Sequence, residues 1–279
     1  MPHGAIRLPD GFRDRAEAVL AGRVEPAPPR DAATVMLLRP AGQALEVYLL
    51  RRRPSMAFAP GAVVFPGGAV DERDADSHVA WAGPDPAEWG RLIDAPAQLA
   101  RELVCAAVRE TFEESGVLLA GPSADTIVAD TRGDDWEADR RALLDRSLSL
   151  AGLLARRSLV LRSDLLRPWA RWVTPATEER RYDTRFFAAA LPEGQLTRDV
   201  GGEADKVAWL TPAAALDAAR RGEIMLLPPT AITLSELAAA GTVAGALAAR
   251  RRITTRIPEV TVAEGAVWLS IPGDLKYPL

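Results

Sequence analysis

Cysteine is almost absent: the 279-residue chain holds one, Cys105. A single thiol rules out a disulfide framework, and its apolar surroundings mark it as a small buried hydrophobe in a reducing compartment. Both histidines lie far from it in sequence, which argues against a thiol–imidazole nucleophile. Excess positive charge is missing too. The formal net charge of -4 and a pI near 5.4 argue against a broad basic surface for nucleic acid. No apolar run approaches the roughly 18 residues of a membrane span, and no internal repeat is visible. The opening MPHGAIRLPDGFRDR lacks a signal-peptide core, and the closing KYPL is not the peroxisomal SKL tripeptide. The expectation is a cytoplasmic protein with neither a nucleic-acid nor a membrane partner.

What is present suits an ordinary globular core: 48% of residues are hydrophobic and 26% charged. A short helix near 14–20 and the connector EPAPPR make residues 1–30 an N-terminal segment and linker. The folded domain is expected over 31–279. ATVMLLR (33–39) and LEVYLLR (45–51) flank PAGQA and predict a hairpin, and AVVFPGG (62–68) predicts a strand ending in glycines. GPDP and DAP make 75–96 read as loop. Apolar residues at helical spacing, Pro96 at the start and Gly116 at the end predict a helix over 97–115. A second helix is expected over 136–157, and strands at 170–173, at 184–190 and ending at Trp209 and Leu210. Thr211 and Pro212 cap the next helix. An alanine-rich helical stretch reaching about Arg251 and a hairpin around Glu264 and Gly265 close the chain.

The unusual stretch is RETFEESG, 109–116. On a helix Glu110, Glu113 and Glu114 share a face, where like charges cost about 0.2–0.5 kcal/mol per pair, and the helix C-terminus disfavours anions further. Arg109 can pair with Glu113 at i, i+4, which leaves Glu110 and Glu114 as the closest uncompensated pair. A solvated helix face is one explanation. The other is a seat for a hard divalent cation, which takes oxygen ligands from carboxylates, water and phosphate.

RETFEESGV resembles the second half of the Nudix box, Arg-Glu-U-x-Glu-Glu-x-Gly-U, with U an aliphatic or similar residue; Arg109, Glu110, Glu113, Glu114, Gly116 and Val117 match it. The first half resembles FPGGAVDERD, with Gly68 as the box glycine and Asp74 where the box has glutamate. Forty residues separate Gly68 from Arg109, 27 more than the standard pattern holds. An insertion inside the box, together with LLRRRPSMAFAPGAVVFPGG, WVTPATEERRYDTRFF, LLPPT and IPGDLKYP, resembles the Nudix branch that includes peroxisomal coenzyme A diphosphatases. That branch carries an arginine four residues ahead of a glycine before the box; Gly61 matches the glycine, and Ala57 stands at the arginine's position.

The resemblance implies an α/β Nudix fold, an α/β/α sandwich with a mixed sheet, carrying an insertion within the box over 75–101 and a C-terminal helical plus hairpin extension over 222–279. It implies a hydrolase that uses Mg²⁺ or Mn²⁺, held by Gly68 through its carbonyl and by Glu110, Glu113 and Glu114, with Glu203 as a further carboxylate on a glycine-rich loop. Arg109, Glu110, Glu113 and Glu203 are the implied catalytic residues, and Glu110 or Glu203 accepts the proton. Arg51, Arg180, Arg181 and Tyr182 are candidate substrate contacts, since guanidinium groups bind phosphate bidentately and aromatic faces accept bases. The partner is a small-molecule diphosphate: coenzyme A or its acyl derivatives, with NADH, ADP-ribose or a nucleotide sugar as alternatives. A non-catalytic Nudix-fold module is the reading from a different class, and a homodimer is expected because Nudix proteins often dimerise.

Overall fold

In the computed structural model, residues 5–56, 59–198, 204–271 and 277–279 are described. Strand β1 (Ile6–Arg7) and helix α1 (Arg13–Leu20) precede the expected hairpin, which forms as β2 (Arg30–Ala41) and β3 (Ala44–Arg52). Two short strands, β4 (Ala62–Val64) and β5 (Gly67–Ala69), lead into a 3-10 turn at Glu72–Ala75.

The segment expected as loop contains β6 (Trp81–Ala82) and helix α2 (Pro86–Ile93). GPDP is here a start signal: the Asp85 carboxylate accepts the Glu88 N–H, and Pro86 occupies the first turn, where its missing N–H costs nothing. Asp94 then ends the helix in the left-handed region, with φ 54°.

Helix α3 (Ala97–Ser115) has the expected bounds, with Gly116 at φ 74° beyond it. After β7 (Ala120–Gly121), the single helix expected over 136–157 is two, α4 (Asp134–Leu144) and α5 (Leu150–Arg156). Arg146 at φ 64° breaks the run, and Ser149 restarts it by accepting the Gly152 N–H. Strands β8 (Val160–Arg162), β9 (Arg167–Val173), β10 (Tyr182–Ala190) and β11 (Ala204–Leu210) follow. Thr211 caps α6 (Pro212–Arg220) as expected. β12 (Met225–Leu226) then leads to α7 (Pro228–Ala240), which stops at Gly241, and α8 (Val243–Ala248). The chain closes with β13 (Thr255–Arg256), β14 (Glu259–Ala263) and β15 (Ala266–Ser270). Glu264 and Gly265, at φ 52° and 72°, make the two-residue turn between the last two strands.

Among the described residues the central sheet has nine strands, running β12-β4-β3-β2-β10-β9-β13, with β11 also on β3 and β5 also on β2. The sheet is mixed, because β2 is parallel to β10 but antiparallel to β3 and β5. Strand alternation divides the core in two. Val35, Leu37, Tyr48, Leu50, Phe187 and Ala189 face one cluster with Trp89, Ile93 and the buried side of α3. Met36, Leu38, Val47, Leu49, Phe186 and Ala188 face a second with Leu216, Ile232, Leu234 and Ala246. The result is an α/β/α sandwich. The stretch expected as a C-terminal extension therefore supplies much of one helical layer, and the insertion supplies Trp89 and Ile93 to the other. The N-terminal segment docks as well: β1 pairs with β15, Ala16 packs on Val260, Val267 and Leu269, and the Arg13 guanidinium donates to the Gly265 carbonyl.

Candidate active site

The turn Phe65–Gly68 and the end of α3 meet, although the chain separates them widely. Pairing of β5 with β2 sets Gly67 opposite Thr34 and Gly68 opposite Ala33. Glycine is required twice here. A Cβ on Gly67 would strike the Ala33 carbonyl and Thr34, and one on Gly68 would strike the Glu110 carboxylate. From this turn the Gly67 N–H donates to Glu114 Oε2 at 2.8 Å.

Arg109 binds the two box halves together. Its Nε and Nη2 donate to the two oxygens of Asp74 at 2.9 and 2.8 Å, and Nη2 also reaches the Ala69 carbonyl at 3.0 Å. Nη1 donates to Glu110 Oε1 at 2.6 Å and to Glu113 Oε2 at 3.2 Å. The expected Arg109–Glu113 pair is thus present, but Glu110 is also compensated, and it is closer. Asp74 is presented by a capping box: its carboxylate accepts the Asp71 N–H at 2.9 Å, while the Asp71 side chain accepts the Arg73 N–H.

The acidic face is not solvated. Arg109 and Glu113 are 5% and 6% exposed, and Glu110 and Glu114 are partly buried. Burial opposes the charge on Arg109, but Asp74, Glu110 and Glu113 outweigh it and hold its pKa above the usual value. Glu113 moves the other way: burial first, then the charge of Glu110, push its carboxyl up to about 7 against the opposing pull of Arg109. Its Oε1 is buried with no hydrogen-bond partner among the described residues. The backbone carbonyls at the C-terminal end of the helix are satisfied from outside. Arg140, 3% exposed, donates from Nη1 to the Glu113 carbonyl at 2.9 Å, and the Arg198 N–H donates to the Ser115 carbonyl at 3.0 Å.

One guanidinium thus faces three carboxylates, Asp74, Glu110 and Glu113, with Glu114 beside them. An excess of anionic oxygen, a buried carboxylate oxygen lacking a donor and a glycine pressed on Glu110 suit a hard divalent cation. Among the described residues no three histidine, cysteine or acidic side chains stand as a preformed metal cage. Of the three glutamates, Glu110 and Glu113 lean on Arg109 and Glu114 on the Gly67 N–H.

This cluster forms part of the wall of a cavity of about 1760 Å³. Of the residues singled out in the sequence, Gly68, Arg109, Glu110, Glu113, Glu114, Arg180 and Tyr182 line it. Two do not. Arg51 has the opposite strand parity from Leu50 and Arg52, and those two are on the wall. Arg181 is turned to the Thr174 carbonyl at 3.1 Å and the Ala27 carbonyl at 2.7 Å, so it braces backbone. Glu203 lies outside the described residues, as does Ala57. The sequence reading missed Arg30 and Arg140. Neither sits in a motif, and only the strand register and the packing of α4 bring them in. Trp169 and Trp172 are buried in the core, and Phe187 is wholly buried against Trp89, at 5.7 Å between ring centroids.

Residues 87–237, more than half of the chain, match the family described as the NUDT19 Nudix domain. The chain belongs to that family. It is 27% identical over 278 residues to the acyl-coenzyme A diphosphatase NUDT19 of Xenopus laevis, covering 84% of this chain and 71% of that one. It is 29% identical over 265 residues to the Homo sapiens protein of the same name, covering 82% and 69%. Its fold is similar to the crystal structure of a NUDIX hydrolase from Alicyclobacillus acidocaldarius, with a TM-score of 0.64, 30% identity and coverage of 76% and 92%.

Proposed function

We propose that this Nudix hydrolase cleaves the diphosphate linkage of coenzyme A or an acyl-coenzyme A, using Mg²⁺ or Mn²⁺ held by Gly68, Glu110, Glu113 and Glu114. The observation that carries the reading is the convergence of the Phe65–Gly68 turn with the glutamates of α3 on the wall of one large cavity. The relatives named acyl-coenzyme A diphosphatase support the choice of substrate. A single buried cysteine and the lack, among the described residues, of a helix long and apolar enough to cross a membrane accord with a cytoplasmic site of action.

The chemical obstacle is that water must attack phosphorus through a shell of negative oxygens. A divalent cation, when bound, supplies charge neutralisation at those oxygens and makes water more acidic. The protein's own groups do the rest. Arg109 fixes Glu110 and Glu113 on one face, so their oxygens need not reorganise during the reaction. Asp74 in turn fixes Arg109. The proton is accepted by Glu110 or Glu203. Tyr182, on the wall of the same cavity, offers its ring to the substrate.

The test is a substrate panel of coenzyme A, acyl-coenzyme A, NADH, ADP-ribose and a nucleotide sugar, assayed with Mg²⁺ and with Mn²⁺ and resolved by mass spectrometry. Release of adenosine 3′,5′-bisphosphate with the phosphopantetheine fragment is the expected result. Cleavage confined to the other nucleotides removes the coenzyme A assignment, and full activity of Glu114→Gln removes the proposed metal site.

A further inference from the structure

Strands β2 and β10 run parallel with Arg30 in register with Tyr182, and the Arg30 N–H donates to the Arg181 carbonyl at 2.9 Å. Alternation then sorts the charges at this end of the sheet. On the odd positions, Asp183 pairs with Arg171 at 2.7 Å and with Arg185 at 2.8 Å, and Asp31 pairs with Arg185 at 3.2 Å. The even positions face the cavity: Arg30, Ala32 and Thr34 from β2, and Arg180, Tyr182 and Thr184 from β10 and the residues before it. Acids are therefore consumed on one side of the sheet, and two arginines stand on the other.

Four other arginines of the cavity wall are matched by carboxylates. Arg7 has Asp10, Arg73 and Arg146 have Asp71, and Arg109 has Asp74. Arg30 and Arg180 are exposed and form no ion pair among the described residues. Of the acids next to them in sequence, Asp31 is paired with Arg185 and Glu179 with Arg15; Glu178 lines the same wall, and burial raises its carboxyl pKa above the ordinary value. Guanidinium groups bind phosphate bidentately, and a phosphomonoester, with its terminal oxygens, can engage the forks of both. The clamp is also spaced from the carboxylates. Thr34 is the partner of Gly67, and at about 3.3 Å per residue Arg30 starts roughly 13 Å further along β2. A long side chain reaching back leaves room for a ribose between the two sites.

Resting on the diphosphatase reading above, we propose that Arg30 and Arg180 form a clamp for the 3′-phosphate of coenzyme A, making a substrate-selecting subsite distinct from the carboxylate cluster. The prediction is a preference for coenzyme A over 3′-dephospho-coenzyme A that depends on these two residues.

The experiment measures kcat and KM of the full chain on both compounds, for the parent, Arg30→Ala, Arg180→Ala and the double variant. A hydrogen-bonded charge contact of this type corresponds to about tenfold or more in affinity. Each single variant should raise KM for coenzyme A by about that factor with kcat nearly unchanged, and should leave the dephospho compound within about twofold. Calorimetric titration with adenosine 3′,5′-bisphosphate and with AMP gives a second reading that needs no turnover: the parent should prefer the bisphosphate and the double variant should not. Arg30→Lys and Arg180→Lys should restore part of the preference. If the parent cleaves both compounds equally well, or the variants lose both in parallel, the clamp is wrong while the diphosphatase reading stands. If the parent cleaves neither compound, both fall together.

Discussion

Asp74 and Arg109 stand 35 positions apart in the chain and meet in a two-pronged ion pair, with both partners buried. The pair closes the box across the insertion. It also places one guanidinium where it can hold Glu110 and Glu113 from the same nitrogen.

Arg109→Ala leaves two buried carboxylates, Asp74 and Glu113, and the partly buried Glu110 without their shared counter-ion. Breaking such a pair from one side costs about 3–5 kcal/mol. The urea midpoint should fall accordingly, and hydrolysis should be lost even at temperatures where the variant is folded. Asp74→Asn should show a smaller drop in the same direction, since the amide still accepts one of the two hydrogen bonds.

The two glycines of the turn should respond differently to alanine. At Gly67 the new methyl group meets backbone, the Ala33 carbonyl, which cannot swing away. Overpacking of this kind costs about 1–3 kcal/mol, so the melting temperature should fall. At Gly68 it meets the end of the Glu110 side chain, which can rotate. Gly68→Ala should keep nearly the parent's melting temperature while losing activity, as read by circular dichroism and a turnover assay.

Glu137 gives a pH signature. The hydrogen bond from Arg140, with a further contribution from Arg141, holds its carboxyl at about 2, below the ordinary 4.5. A depressed native pKa contributes stability that is complete above about 4.5 and is lost as pH falls through about 2. Glu137→Gln should therefore lower the urea midpoint at pH 7 and differ from the parent progressively less as the pH is brought down from 4.5 toward 2. A constant difference across that range would show that Arg140 is held by packing alone.

Trp89 tests whether the insertion is structural. Its side chain is 1% exposed and meets Phe187 edge-on. Trp89→Ala should cost about 3–5 kcal/mol in chemical denaturation. The activity of the remaining folded protein should be unchanged, because Trp89 does not line the cavity.

Local chemistry was legible along the chain. The bounds of α3, the Thr211 cap and the turn at Glu264 and Gly265 all depend on residues within a few positions of one another, and each appears where expected. The misreadings have local causes as well. Asp85–Pro86 reads as a breaker along the chain but is an N-cap with proline in the first turn, and Arg146 in the left-handed region carries no glycine to announce the break between α4 and α5.

By itself, the sequence determined which residues could do the chemistry: the RETFEES run, the paired glycines and the type of fold that such a box implies. Only the tertiary structure decided that the box closes over its insertion, that Arg52 faces the cavity instead of Arg51, that Arg181 is spent on backbone carbonyls, and that Arg30 and Arg180 line one cavity. The physical reason is that residue type and helical or strand period are properties of neighbours along the chain. Strand register, the side of a sheet a residue faces and the partner of a buried charge are set by distant segments packing together, and they change sign with a shift of one residue.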